Sequence, residues 1–170
     1  MEATAFRKLV LDHQDAVYAL CLALAGSDAE DVAQETFVRV YLAVDRFDPS
    51  GPASLRTWIL TIARRLCHDR AKKRRVEPEA LGILQAPSAS PEDELSARRL
   101  SAEVRAAVLR LPPEQRAVVA LREWAGLEYE EIAVVERVPV GTVRSRLARA
   151  REALRAALGG EEGWTNAGTV

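Results

Sequence analysis

Apolar residues recur along this chain at spacings of three and four, and no stretch alternates convincingly between turn residues. Phe6, Leu9, Val10, Val17, Leu20, Cys21 and Leu24 share one face of a helix predicted over Thr4 to Ala25, which Gly26 ends. Ser27-Asp28-Ala29-Glu30 has the form of a capping box and opens a second helix, Asp28 to about Arg46. Its apolar face carries Val32, Phe37, Val40, Tyr41 and Val44, and its polar face gathers Asp31, Gln34 and Glu35. Asp48-Pro49-Ser50-Gly51-Pro52 is a dense turn signal. A third helix follows over about Ala53 to Arg75, with Leu55, Trp58, Ile59, Ile62, Ala63 and Leu66 on one side.

From Val76 to Pro91 the periodicity stops: three prolines, Gly82 and small polar residues make a flexible linker. Ser90-Pro91-Glu92 suits a helix start, with an N-cap serine and proline at the first helical position. Leu95, Leu100, Val104, Val108, Leu109 and Leu111 continue that helix to the break at Pro112-Pro113. Val118, Val119, Leu121 and Trp124 mark another helix, Glu114 to Ala125, closed by Gly126. Then comes a short segment (Tyr129, Ile132, Ala133, Val135), a break at Val138-Pro139, and a longer helix. The last has Val143, Leu147, Ala150, Leu154 and Leu158 behind and Arg144, Arg146, Arg149, Arg151 and Arg155 in front. Two helices joined by a tight turn, the second with an arginine front, describe a helix-turn-helix. Gly141 and Thr142 keep its N-terminal end slim, so Ser145, Arg146 and Arg149 can reach base edges while other arginines take phosphates. A solvated cationic helix in an ordinary bundle is the plainer alternative.

The expected fold is therefore all-α, in two small helical domains. A three-helix N-terminal domain spans 1–75 and an acidic linker 76–91. A four-helix C-terminal domain with the helix-turn-helix spans 92–158, and a disordered tail 159–170.

Charge sharpens this picture. The net charge is only −1, yet the charges are segregated. Arg64 to Arg75 is basic apart from Asp69, and Arg137 to Arg155 is basic again. Between them Val76 to Ala97 holds Glu77, Glu79, Glu92, Asp93 and Glu94 without a lysine or arginine. Two cationic surfaces around an acidic connector suggest two DNA contacts, with the connector either masking them in the free protein or serving as a spacer. Cys21 and Cys67 are expected to be reduced and buried. With His13 and His68 they have no metal-site spacing, so no metal is expected. The longest apolar run, Val17 to Ala25, is too short to span a bilayer and no basic leader follows Met1, so a cytoplasmic protein without membrane insertion is expected. Paired carboxylates at Asp31 and Glu35 could serve acid–base chemistry, but no nucleophile, ligand set or phosphate loop accompanies them. A DNA-binding regulator would leave that acidic face unexplained, and a protein-only scaffold would leave the arginine front idle.

Four motifs carry a family resemblance: DAEDVAQETF (28–37), WILTIAR (58–64), LPPEQR (111–116) and GLEYEEIA…VPVGTVRSRLARAR (126–151). In this order they make the chain similar, over about 5–158, to the extracytoplasmic-function (ECF, group 4) sigma factors of the bacterial sigma-70 family. The resemblance implies no enzyme and no cofactor. It implies a protein that binds core RNA polymerase at the beta-prime clamp helices and beta flap, directs it to promoter DNA, and answers to an anti-sigma factor in a stress or envelope response. Residues 1–75 then correspond to region 2 and 92–158 to region 4. Asp28, Asp31, Gln34 and Glu35 match the polymerase-binding surface. Phe47, Trp58, Ile62, Arg64, Arg65, Arg70, Lys72, Lys73, Arg74 and Arg75 match the minus-ten reader, where unstacking a captured base costs a few kcal/mol. Arg122, Thr142, Arg144, Ser145, Arg146, Arg149 and Arg151 match the minus-thirty-five reader. Two departures stand out: Arg65 where the family often has Asn, and Glu136-Arg137 where its turn often reads Leu-Gly.

Overall fold

The computed structural model describes the backbone of residues 2–76 and 103–159, and the side chains of 2–73 and 103–159. The acidic linker, the helix start at Ser90-Pro91-Glu92 with Leu95 and Leu100, the tail after Gly159, and the side chains of Arg74 and Arg75 lie outside the described residues. Among those described, every regular element is helical. They are α1 (Ala3–Ala25), α2 (Ala29–Ala43), α3 (Leu55–Val76), α4 (103–110), α5 (Pro113–Val119), α6 (Tyr129–Glu136) and α7 (Val140–Leu158).

The first three helices close on Leu9, Val17, Leu20 and Cys21 of α1, Val32 and Val40 of α2, and Ile59, Ala63, Leu66 and Cys67 of α3, all buried. Each fully buried leucine or valine contributes about 1.5–3 kcal/mol. By length and composition the stretch Ala3–Arg46 could cross a membrane, at mean hydropathy 1.2; here its buried positions build the bundle instead. Cys21 and Cys67 are free and buried, with sulfurs 3.9 Å apart. Contact with Cys67, and then burial, push the Cys21 thiol well above its ordinary range.

One local expectation is corrected. Ser27-Asp28-Ala29-Glu30 does not form a capping box: Gly26–Asp28 is a 3-10 turn, and Asp28 makes no side-chain cap hydrogen bond. At φ −88° and ψ 7° the Asp28 backbone is not extended, which is the conformation a capping side chain needs to reach the N–H groups ahead of it. Its carboxylate lies 3.6 Å from Arg70 instead. The third helix is capped by Ser54, whose Oγ accepts the Thr57 N–H at 3.2 Å.

In the C-terminal half α4 to α7 enclose Val108, Val118, Leu121, Ile132, Val143, Leu147 and Leu154. After α5 the chain widens into a π-helical turn, Ala120–Trp124, closed by Ala125 N–H to Ala120 C=O at 2.9 Å and Leu127 N–H to Leu121 C=O at 3.0 Å. The helix-turn-helix is α6 and α7. Arg137, at the turn, sits in the left-handed region (φ 55°, ψ 45°). The arginine therefore keeps the conformation that a glycine would adopt freely, at a cost on the order of 1 kcal/mol.

The two halves pack on each other: α3 against α6, and α1 against α5 and the π turn, so the buried residues form one continuous cluster. This explains why the buried stripe of α3 is wider than its sequence pattern, taking in Thr57 and Leu60 as well. Glu131 serves both halves. One oxygen accepts the Glu128 N–H at 3.0 Å, completing a capping box on α6. The other accepts the hydroxyls of Thr57 at 2.8 Å and Ser54 at 3.2 Å. Burial alone would raise the Glu131 pKa, but the Glu128 N–H, the two hydroxyls and the charge of Arg56 favour the ionised form and hold it below its ordinary value.

Two stability predictions follow from these contacts. Arg137→Gly should raise unfolding stability by about 0.5–1 kcal/mol, read as a higher denaturant midpoint at unchanged slope. Glu131 has a depressed folded-state pKa, so its contribution is present above the unfolded value of about 4.3 and is lost as pH falls through the folded value. Glu131→Gln should therefore be less stable than the parent at pH 7, with the gap closing below about pH 4. A gap that stayed constant down to pH 3 would show that the ionised carboxylate is not what matters.

Candidate nucleic-acid and partner interfaces

The side of α2 turned away from the bundle is a continuous stripe. Asp31, Glu35, Val38 and Leu42 follow one another at helical spacing, with Gln34 alongside. Gln34 donates to Glu30 at 3.4 Å, and Glu35 pairs with Arg39 at 2.7 Å. Asp28, near the helix start, is half-buried against Arg70. Val38 and Leu42 are 58% and 73% exposed, an apolar extension of the acidic face. The sequence reading missed both; the available signal was that they fall off the buried row of Val32, Thr36 and Val40.

On the next element, the Phe47 ring rests 5.4 Å from that of Trp58, tilted by 46°. Trp58 and Ile62, one turn apart, are partly buried against the core. Arg65, Lys72 and Lys73 are exposed, whereas Arg70 is turned to Asp28. Arg64 is held by the other half of the molecule: its Nε donates to Glu136 Oε1 at 2.5 Å and a terminal nitrogen to Oε2 at 3.2 Å.

The back of α7 is core, and its front leaves Arg144, Ser145, Arg149 and Arg155 exposed. Ser145 Oγ donates to the Thr142 carbonyl at 3.0 Å, tightening the first turn, and Thr142 itself is half-buried. Arg146 is drawn to Glu136 at 3.7 Å. Arg122 and Arg151 are engaged within their own half. Arg122 donates to the Leu127 carbonyl at 2.9 Å, pairs with Glu128 at 2.8 Å and lies over the Tyr129 ring at 5.3 Å. Arg151 pairs with Glu123 at 2.9 Å. Their position in the motif matches a DNA contact, while their partners here brace the helix-turn-helix. No group of three or more His, Cys, Asp or Glu side chains placed to hold a metal occurs among the described residues.

Glu136 is the residue that sequence reasoning missed altogether. Its side chain is 2% exposed and touches one arginine from each half. A turn glutamate gives no hint of burial; only the departure from the family's Leu-Gly marked the position.

Residues 9–77 match the Sigma-70 region 2 family and residues 101–154 the Sigma-70, region 4 family. The chain is 41% identical over 155 residues to the ECF RNA polymerase sigma factor SigE of Mycolicibacterium smegmatis, covering 87% of this chain and 59% of that one. It is 35% identical over 165 residues to the ECF RNA polymerase sigma factor SigW of Bacillus subtilis, covering 89% and 87%. In fold it is similar to the sigma factor RpoE of Bartonella quintana, solved with the anti-sigma factor NepR. That match has a TM-score of 0.73 at 24% identity, over 92% of this chain and 98% of that one. Both halves match in order, and SigW is matched over most of its length. The chain therefore belongs to the extracytoplasmic-function class of sigma-70 family RNA polymerase sigma factors.

Proposed function

We propose that this protein binds core RNA polymerase through α2 and directs it to promoters through α3 and α7, acting in the cytoplasm where polymerase and genome meet. The observation that carries this reading is the pairing of an exposed acidic and apolar stripe on α2 with an exposed arginine front on a helix-turn-helix. A DNA-only regulator would have no use for the first. On this reading Asp31, Gln34 and Glu35 meet the beta-prime clamp helices, with Asp28 at their edge and Val38 and Leu42 adding apolar contact. The region 4 half meets the beta flap. Phe47, Trp58 and Ile62 wall a pocket for an unstacked minus-ten base, and Arg64, Arg65, Lys72, Lys73, Arg74 and Arg75 follow the backbone. Arg144, Ser145, Arg146 and Arg149 enter the major groove at the minus-thirty-five element. The domain division proposed with it is 1–75, 76–91, 92–158 and 159–170. Control by an anti-sigma factor of a stress or envelope regulon belongs to the same proposal.

Two experiments test it. Replacing Asp31 and Glu35 with alanine should weaken binding to core polymerase while helical content is retained; wild-type affinity for core in the double variant would rule the α2 assignment out. Arg149→Ala should cost about 1–3 kcal/mol and relax base preference in the upstream element. Lys73→Ala should weaken binding to all sequences alike and flatten the salt dependence by about one phosphate contact. Run-off transcription on a promoter library reads both; a change of upstream base choice in Lys73→Ala would contradict this division of labour.

A further inference from the structure

Three arginines and lysines of α3 and two of the α7 front are free, but Arg64 and Arg146 are not, and the same carboxylate holds both. Glu136 ends α6, one residue before the left-handed turn, and its side chain lies in the seam between the two halves. Arg64 reaches it with two hydrogen bonds across that seam, and Arg146 reaches it from α7. A second acid on the same helix, Glu131, takes the Thr57 and Ser54 hydroxyls at the start of α3. Both acids lie on α6, five residues apart, and their partners lie along α3 from Ser54 to Arg64. The contact thus runs along α3 for nearly three turns.

A guanidinium with both donors on a buried carboxylate cannot also bind a phosphate or a base edge. We propose that the free protein is closed on itself by Glu136, which stands in for the DNA phosphates by occupying one promoter-reading arginine from each half. Opening then frees Arg64 and Arg146 together, because a single carboxylate releases both. The closure rests on the proposed promoter-reading roles of α3 and α7. It assigns to the chain itself a masking role that the acidic linker had been expected to share. A device of this kind keeps the free protein off genomic DNA without a second protein, and polymerase, by holding the two halves apart, switches the readers on.

The test uses the full chain. Spin labels on cysteines introduced at Gln14 of α1 and Ala156 of α7, both exposed, report the distance between the halves by electron–electron double resonance, since the native thiols are buried. The parent should give one narrow, short distance. Glu136→Arg should give a broad, longer distribution, and adding Arg64→Glu to it should restore the narrow one. A second readout is anisotropy of a short random-sequence duplex at low salt. Glu136→Gln should bind several-fold more tightly than Glu130→Gln, which removes the same charge from an exposed position of α6. A parent that is already broad, or a Glu136→Arg distribution identical to the parent's, would overturn the closure. Equal DNA affinity of Glu136→Gln and Glu130→Gln would overturn the masking. If the distances follow Glu136 but no variant binds DNA or core polymerase, the promoter reading fails while the closure stands.

Discussion

A carboxylate taken almost wholly out of water must be compensated where it lies, and Glu136 is compensated from both halves of the molecule at once. Desolvation of such a group costs on the order of several kcal/mol, which only close, well-directed cations recover. The recovery is local and geometric, so the relative placement of α3, α6 and α7 follows from it. Apolar packing of α1 on α5 and the π turn supplies area along the same seam but little direction. Glu131, already fixed by its capping box, adds direction at the other end of α6.

The surfaces left over differ in kind. Along α2 the exposed residues are acids followed by Val38 and Leu42, a combination that suits a protein partner with its own basic and apolar ground. Along the front of α7 they are arginines and a serine on a helix whose back is fully committed to the core. Arg122 and Arg151 show how a shared position can carry different duties. Each completes an ion pair that holds the turn and the last helix in register, so losing either would disturb the DNA-reading helix even without a direct contact.

Much of this was legible from apolar spacing alone. The rows through Leu9, Val17 and Leu20, through Val32 and Val40, and through Val143, Leu147 and Leu154 are buried as their periodicity requires. Local chemistry was less dependable. Ser27-Asp28 has the composition of a cap but not its backbone, whereas Glu128-Tyr129-Glu130-Glu131, with glutamate at the capping position, forms the box that was not looked for. What stayed hidden was whatever depends on residues seventy apart. Thr57 with Glu131, and Arg64 with Glu136, are ordinary polar positions within their own helices, and only the docking of the two halves makes them partners. The acidic face of α2 could be read because it is local; Val38 and Leu42 could not, because apolar residues are assigned by default to the core.

The wide turn at Ala120–Trp124 carries one residue more than an α-helical turn would hold. Each residue advances a helix by about 100°, so the extra one resets the azimuth of everything after it. It is this offset that lets Arg122 point to the Leu127 carbonyl while its neighbour Glu123 meets Arg151. The segment is thus a phase adjuster rather than a chemical site: it could absorb many changes of side chain, but not a change of length. Losing a single residue there would leave every motif of the helix-turn-helix intact in sequence and aim its reading head at the wrong part of the groove.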